Sequence, residues 1–255
     1  MDPGVLVVLA LVSFVGGVVV TAVGPGGIFV LAALYVGTGL SAAQVAGTAS
    51  ATFVGGSALG ALIYARSDDM DWSLAVAVGI GGVVGTRIGV ALNALVSRRL
   101  FGILLGVLLA VTGLVIVCTE RYGVEPTVHL DSNATRGLVG FAAIGLGVGV
   151  AGGLFGIGGA ALVPPALVLV GVGLVPALAA TQVAVVFISA ATMASYFVQG
   201  AIVAPLVFVV GGSYLVGAVG GWRVAHRVDA DRLTVVLGLT LLGLAPLLVV
   251  RALLM

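Results

Sequence analysis

The feature that most constrains this chain is a series of long apolar runs that charged residues rarely interrupt. Most charges fall in four short stretches, at residues 66–71, 98–99, 120–136 and 223–232. The runs between them are long enough to cross a bilayer, which takes about 20 mainly apolar residues. Backbone in lipid must satisfy its own hydrogen bonds, so such runs form helices. A membrane β-barrel would instead alternate polar and apolar residues.

The composition indicates the same class of protein. Hydrophobic residues make up 61% of the 255 residues and charged residues 7%, whereas a soluble domain carries about 25% charged residues. The net charge of +1 offers no patch for nucleic acid. No positive stretch precedes Val5, so Val5–Val23 is predicted to be a membrane helix and not a cleavable signal peptide. We expect a multi-pass protein of the cell membrane, in a prokaryotic plasma membrane, with the lipid bilayer as its main partner.

The two halves of the chain align at an offset of 132 residues. Glycines and a tyrosine recur in the same order: Gly24, Gly26, Gly27, Tyr64, Gly85 and Gly89, then Gly156, Gly158, Gly159, Tyr196, Gly217 and Gly221. With 41 glycines in the chain a single match means little, but an ordered series indicates an internal duplication. The prediction is a first transmembrane repeat at 1–118, a polar linker at 119–135 and a second transmembrane repeat at 136–255.

Each half shows the same order of elements: a long helix, a glycine turn, a short apolar segment and three long helices. The first half has Val5–Val23, Ile28–Val36, Ala42–Ala65, Trp72–Leu95 and Leu100–Cys118, and the second has Gly137–Leu154, Ala160–Val170, Pro176–Val198, Val203–Ala225 and Leu233–Leu254. The short segments rise only about 14–17 Å as helices, roughly half the hydrocarbon thickness. The predicted fold is therefore an all-α membrane bundle of two homologous halves, each with one re-entrant or broken helix.

Arginine placement suggests a topology. The positive-inside rule puts the loop at Arg98–Arg99 and the loop with Arg223, Arg227 and Arg232 in the cytoplasm. Corresponding loops then share a side, which favours parallel repeats with eight crossings and both termini outside. The alternative is ten crossings in two inverted halves.

The glycine turns are the candidate binding site. A helix N-terminus presents unpaired N–H groups and a dipole equivalent to about +0.5 charge, which suits an anion. Interrupted helices at corresponding places in two halves are typical of a transporter site. The predicted substrate-binding residues are the turns and nearby polar groups: Gly24, Pro25, Gly26, Gly27, Thr48, Ser50, Gly156, Gly158, Gly159, Thr181 and Gln182.

Simpler interpretations stand beside this one. Glycine turns also form tight surface loops, and hydroxyls in membrane helices often bond the carbonyl one turn earlier. Arg87 lies within an apolar segment, where it either serves function or extends to the membrane surface. The glycines are not followed by the Lys-Ser/Thr of a phosphate loop. We therefore predict that the chain is not an enzyme and needs neither cofactor nor metal.

At these turns the sequence resembles the sulfite exporter TauE/SafE family, also called TSUP transporters. The resemblance covers nearly the whole chain and rests on the unit at residues 24–27 and its repeat at 156–165. The first half departs from the common pattern, because Pro25 occupies the turn and Ala32–Ala33 stand where the second half has Pro164–Pro165.

The resemblance implies a transporter that exports sulfite, sulfonates, related sulfur oxyanions or other small organic anions. We expect alternating access between the halves, driven by the membrane potential or by a coupling ion, H⁺ or Na⁺. A passive anion channel or uniporter and a non-transporting membrane scaffold are the alternatives, and the sequence leaves a homo-oligomer open.

Overall fold

The computed structural model describes residues 2–22, 26–65, 70–122, 129–132, 134–225 and 230–254. These residues form eleven α-helices, α1 to α11 in chain order, and one π-helical segment, Val207–Gly211, between α9 and α10. The first five are Pro3–Ala22, Gly27–Gly37, Ala42–Tyr64, Trp72–Leu95 and Arg98–Tyr122. The others are Thr135–Phe155, Val163–Leu169, Leu174–Val198, Ala204–Leu206, Gly212–Ala225 and Ala230–Leu253.

The helical membrane class is confirmed. Eight stretches of the described chain are long and apolar enough to cross a membrane, the seventh running through α9, the π-helical segment and α10. Large apolar side chains cover the outside of the bundle, and Val198, Leu95 and Phe208 are each at least 80% exposed. Such a surface is stable against lipid but not against water.

Local sequence explains where the long helices begin. Ser41 and Gln44 form a capping box at the start of α3, in which each side chain binds the other residue's backbone N–H. Asp71 caps α4 by accepting from the Leu74 amide at 3.0 Å. The predicted boundaries of the eight long helices agree with the structure to within four residues.

The second short helix is shorter than predicted. It begins at Val163 and not at Ala160, and it ends at Leu169. Gly158 and Gly159 adopt φ values of 64° and 88°, which interrupt a right-handed helix. The predicted re-entrant segment is therefore a glycine turn followed by two turns of helix.

Close glycine contacts join the halves. Gly81, Gly85 and Gly89 of α4 lie against the backbone of Ala142, Leu146 and Val150 of α6 in the same order, so these helices are parallel. Gly17 of α1 and Gly217 of α10 make an equivalent approach. Because glycine has no side chain, the helix backbones approach closely at these positions, as is common in membrane bundles.

The helices that the 132-residue offset pairs run in opposite directions. In α3 and α8, Gly47 contacts Tyr196 and Gly60 contacts Gln182, so the order of contacts is reversed. In α5 and α11, Gly106 lies against Val249 and Gly113 against Leu242, again in reverse. The halves are therefore inverted, and the expectation of parallel repeats is wrong.

The same directions correct the placement of the arginine loops. We call the end of the bundle where α5 begins the Arg98 end. Because α11 runs antiparallel to α5, it begins at the opposite end, next to the end of α10 at Ala225. The end of α10 and the start of α11 thus lie at the end opposite Arg98 and Arg99, while the start of α1 and the end of α11 share the Arg98 end. With only ten cationic residues the charge rule had little to act on.

We predict opposite effects of alanine at two helical glycines. A methyl group at Gly85 would overlap the Leu146 carbonyl, whereas nothing lies within 4 Å of one at Gly243. Gly85→Ala should lower the free energy of unfolding by about 1–3 kcal/mol. Gly243→Ala should raise it by about 0.5–1 kcal/mol, the ordinary helix preference of alanine. Thermal unfolding in detergent measures both, and equal shifts would contradict the packing described here.

Candidate functional site

Two helical hairpins enter the bundle, one from each half. Gly26 at the start of α2 lies against Gly16 and Val20, and Gly37 at its end packs on Leu9, so α2 runs back along α1. In the second half the Leu130 amide donates to the Val170 carbonyl at 3.1 Å, which brings the end of α7 back to the start of α6. Because the halves are inverted, the hairpins point in opposite directions.

Arg98 holds the end of the first hairpin. Its guanidinium donates to the carbonyls of Leu40 (2.6 Å), Tyr35 (2.9 Å) and Thr38. It also lies 5.3 Å from the centre of the Tyr35 ring. A cation at a helix C-terminus binds the free carbonyls and offsets the negative end of the dipole. Arg98 therefore fixes α2 while its opposite end, the N-terminus, points into the bundle.

The end of α6 is fixed by side chains from both halves. Gly156 adopts φ 79°, and its amide donates to the Gly152 carbonyl. The Tyr196 hydroxyl donates to the Gly153 carbonyl and the Asn93 amide to the Leu154 carbonyl, both at 2.7 Å. These donors satisfy carbonyls that a helix end leaves free, so the second turn has a defined position.

The amides of the second turn remain available. The Leu162 and Val163 amides donate to the Gly159 carbonyl, but those of residues 157–161 have no acceptor among the described residues. Pro164 and Pro165 stand at the start of α7 and have no N–H to offer. The second half therefore presents donors from its turn and not, as expected, from a helix end.

A small cavity brings the start of α2 and the second turn together. It has a volume of about 30 Å³. Its described lining residues come from both halves: Val20, Gly27, Phe53, Gly56, Ser57, Gly60, Ile157, Ala160, Gln182, Val185 and Tyr214. Phe53 and Val185 lie near the middle of α3 and α8, so the cavity is at mid-depth in the bundle.

The lining is polar in places and uncharged. The Gln182 amide and the Ser57 hydroxyl are its hydrogen-bonding side chains together with Tyr214, and none of the described lining residues is charged. Phe53 and Tyr214 form one wall, with their rings edge to face at 5.4 Å. Within the described chain no group of three His, Cys, Asp or Glu residues could hold a metal ion.

The structure brings together part of the predicted site. Gly27 and Gln182 line the cavity, and Gly26 precedes Gly27 as the N-cap of α2, with no side-chain hydrogen bond to that end. Gly156, Gly158 and Gly159 belong to the turn that contributes Ile157 and Ala160. Gly24 and Pro25 lie outside the described residues, as do residues 123–128 and 133 of the predicted linker.

Three predicted hydroxyl residues are absent from the described lining of the cavity. Thr48 accepts a hydrogen bond from the Val203 amide at 3.2 Å. The Ser50 hydroxyl donates to the Gly47 carbonyl at 2.9 Å, and the Thr181 hydroxyl donates to the Ala177 carbonyl at 2.6 Å. Ser50 and Thr181 thus bond carbonyls about one turn earlier, as the simpler interpretation holds, whereas Thr48 binds the backbone of a distant segment.

Sequence reasoning missed the α3 wall of the cavity. Gly56, Ser57 and Gly60 follow Phe53 by three, four and seven residues, so all four share one helix face. That spacing was the available signal. Tyr214, on α10, follows the π-helical segment by three residues, and such segments are frequent at functional sites.

Ser189 is a further residue beside the second turn. Its side chain is fully buried, and its hydroxyl has no partner among the described residues. A methyl group at Gly158 would overlap this hydroxyl. The offset of 132 residues pairs Ser189 with Ser57, which lines the cavity.

Eight membrane-spanning stretches around a central uncharged cavity, reached by two opposed broken helices, define a polytopic membrane protein of the transporter class. The chain belongs to the sulfite exporter TauE/SafE family, because the model of that family matches residues 9–248. It is therefore a membrane transporter of the exporter type. No curated protein and no solved structure matches the chain.

We predict that alanine at Gly158 is far more costly than at Gly200. Both glycines have nearly the same φ, 64° and 66°. A methyl group at Gly158 would overlap the Ser189 hydroxyl, whereas nothing lies within 4 Å of one at Gly200. Gly200→Ala should cost about 1–2 kcal/mol from backbone strain alone. Gly158→Ala should cost roughly 1–3 kcal/mol more from overlap with Ser189, and Ser189→Ala should recover much of that excess. A double-mutant cycle on thermal stability tests this, and additive effects would contradict the contact.

Proposed function

We propose that this transporter exports a small oxyanion of sulfur, such as sulfite or a sulfonate, through the cavity between the two glycine turns. The observation that carries the proposal is that the start of α2 and the second turn both line one cavity at mid-depth, with no charged residue in its described lining. Binding at the midplane between inverted halves is the usual arrangement in secondary transporters. The family's export of sulfite supports the choice of ligand.

Backbone dipoles explain how an anion can bind there without a counter-ion. The N-terminus of α2 has a positive dipole end and no side-chain cap. The free amides of the second turn belong to the same region, and Gln182 adds a neutral donor. The Ser57 hydroxyl already donates to the Phe53 carbonyl at 2.7 Å. Ser189 would donate after rotation about its Cα–Cβ bond. A site made of partial charges compensates lost hydration and still releases its ligand, whereas a full positive charge would hold the ligand more tightly.

The size of the cavity supports transport by alternating access. One water needs about 10–15 Å³, so 30 Å³ holds about two waters and is too small for an oxyanion. The conformation would then be an occluded one, and substrate enters after the walls separate. The opposed hairpins offer one opening toward each side of the membrane, with α3 and α8 as the shared walls.

The residues 1–118 and 136–255 would be the two moving repeats, joined by the linker 119–135. The packing of α1 on α10 and of α4 on α6 joins helices of the two repeats, so movement between the repeats would have to shift these pairs as well. The driving force is the membrane potential, which favours anion exit by about 2.3 kcal/mol per charge per 100 mV, or a gradient of H⁺ or Na⁺. We place the protein in the plasma membrane of a prokaryotic cell.

Replacing the cavity amide tests the site. Gln182→Leu preserves size but removes the hydrogen-bonding group, so sulfite should bind on the order of tenfold more weakly. Stabilisation of the purified protein by sulfite, thiosulfate, sulfate and sulfonates measures the affinity. Thr240→Val is the matched control, because that exposed hydroxyl bonds only the Val236 carbonyl. Unchanged sulfite affinity in a folded Gln182→Leu protein would refute the site.

A liposome experiment separates a carrier from a passive channel. In alternating access one site serves both sides, so unlabelled sulfite inside should accelerate uptake of labelled sulfite. Flux should also saturate with sulfite concentration. A linear flux without counterflow would show a channel, and absence of any anion flux from folded, oriented protein would favour a scaffold.

A further inference from the structure

Arg87 lies on the outside of the bundle within a membrane-spanning helix. It is exposed, and its neighbours on α4, Val84 and Ile88, are 53% and 46% exposed apolar residues. Arg87 precedes the end of α4 at Leu95 by eight residues, or about 12 Å at 1.5 Å per residue. The guanidinium group therefore starts from a lipid-facing position well inside the span.

Two features indicate that Arg87 needs a polar partner outside the described part of the protein. Side chains on a helix lean toward its N-terminus, so Arg87 has to extend against that direction to line a groove with Gln199 at the Arg98 end. No described residue forms an ion pair or hydrogen bond with it. A cation in a membrane span needs a partner of opposite charge or water, and the described part of the protein supplies no such anion.

A groove beside Arg87 has room for that anion. It lies between α4 and α8 at the Arg98 end and has a volume of about 410 Å³. Arg87 lines its deep part, Ser195 lies on the α8 side, and Gln199, the residue after α8, lies at the rim. The Ser195 hydroxyl is engaged with the Ala191 carbonyl at 2.8 Å, so Arg87 and Gln199 are the donors of the groove.

The fold itself does not require an arginine at this register. In the 132-residue alignment of the halves, Val219 of α10 corresponds to Arg87, and Val219 is 53% exposed. An apolar side chain thus meets lipid at the corresponding position of the other half. The cation in the first half is specific to this groove and needs an explanation other than helix packing.

We propose that this groove is a binding site for an anionic phospholipid, whose phosphate is bound by Arg87 and Gln199. Arginine matches phosphate geometry with paired N–H donors. Basic pockets between membrane helices bind anionic headgroups in this way. The acyl chains extend along the exposed apolar face of α4, past Val84 and Ile88. The site is on the lipid surface of the bundle and separate from the central cavity.

Native mass spectrometry of the purified full chain tests the proposal. Phosphatidylglycerol should bind, and Arg87→Gln should weaken that binding on the order of tenfold. Arg99→Gln removes another exposed cation at the same end and should change the affinity less than about twofold. Equal phosphatidylglycerol affinity in the wild type and Arg87→Gln overturns the proposal.

Two further ligands identify what the groove takes. Diacylglycerol with the same acyl chains lacks the phosphate and should show no dependence on Arg87. Inorganic phosphate lacks the chains and should not stabilise the protein against heat. If inorganic phosphate stabilises the wild type as well as phosphatidylglycerol does, the groove binds free anions and the lipid proposal is wrong. Should Arg87→Gln not fold, Ala91→Phe fills the groove instead and must likewise weaken phosphatidylglycerol binding.

Discussion

The interruption of two helices inside an apolar bundle is the constraint on which the rest of this structure depends. Each break frees backbone carbonyls and amides that lipid cannot satisfy. Arg98 binds the carbonyls at the end of α2, and Tyr196 and Asn93 bind those at the end of α6. With these carbonyls satisfied, the amides at the start of α2 and in the second turn carry the positive ends of the backbone dipoles, and our proposal that an anion binds between them rests on this.

Because the two halves are inverted, their broken helices enter the bundle from opposite ends. Antiparallel α3 and α8 form opposite walls of the cavity, and each carries a serine at the corresponding position, Ser57 or Ser189. The hairpins α1–α2 and α6–α7 approach from opposite ends, but they differ in detail, because the first offers a helix N-terminus and the second the amides of a turn. Close backbone contacts through glycine, as between α4 and α6, hold helices of different halves together.

The candidate site could be predicted from sequence only in part. Gly27 and Gln182 do line the cavity, because a glycine break and a lone amide are signals that a sequence displays directly. Thr48, Ser50 and Thr181 were plausible by the same logic, but nearby backbone groups engage their hydroxyls. Whether a hydroxyl binds its own helix or faces a cavity depends on what packs beside it, which residue type does not reveal.

The sequence by itself determined the helical membrane class, the eight long helices, the glycine turn after α6 and the family, because apolar length, glycine and ordered motifs are properties of the chain alone. Tertiary structure decided that the halves are inverted, since ten arginines shared between both ends define no side. It also decided that α7 starts at Val163 and that Phe53, Gly56, Ser57 and Tyr214 complete the cavity. Those features depend on which helix backbones approach each other, and that is set by packing between distant segments.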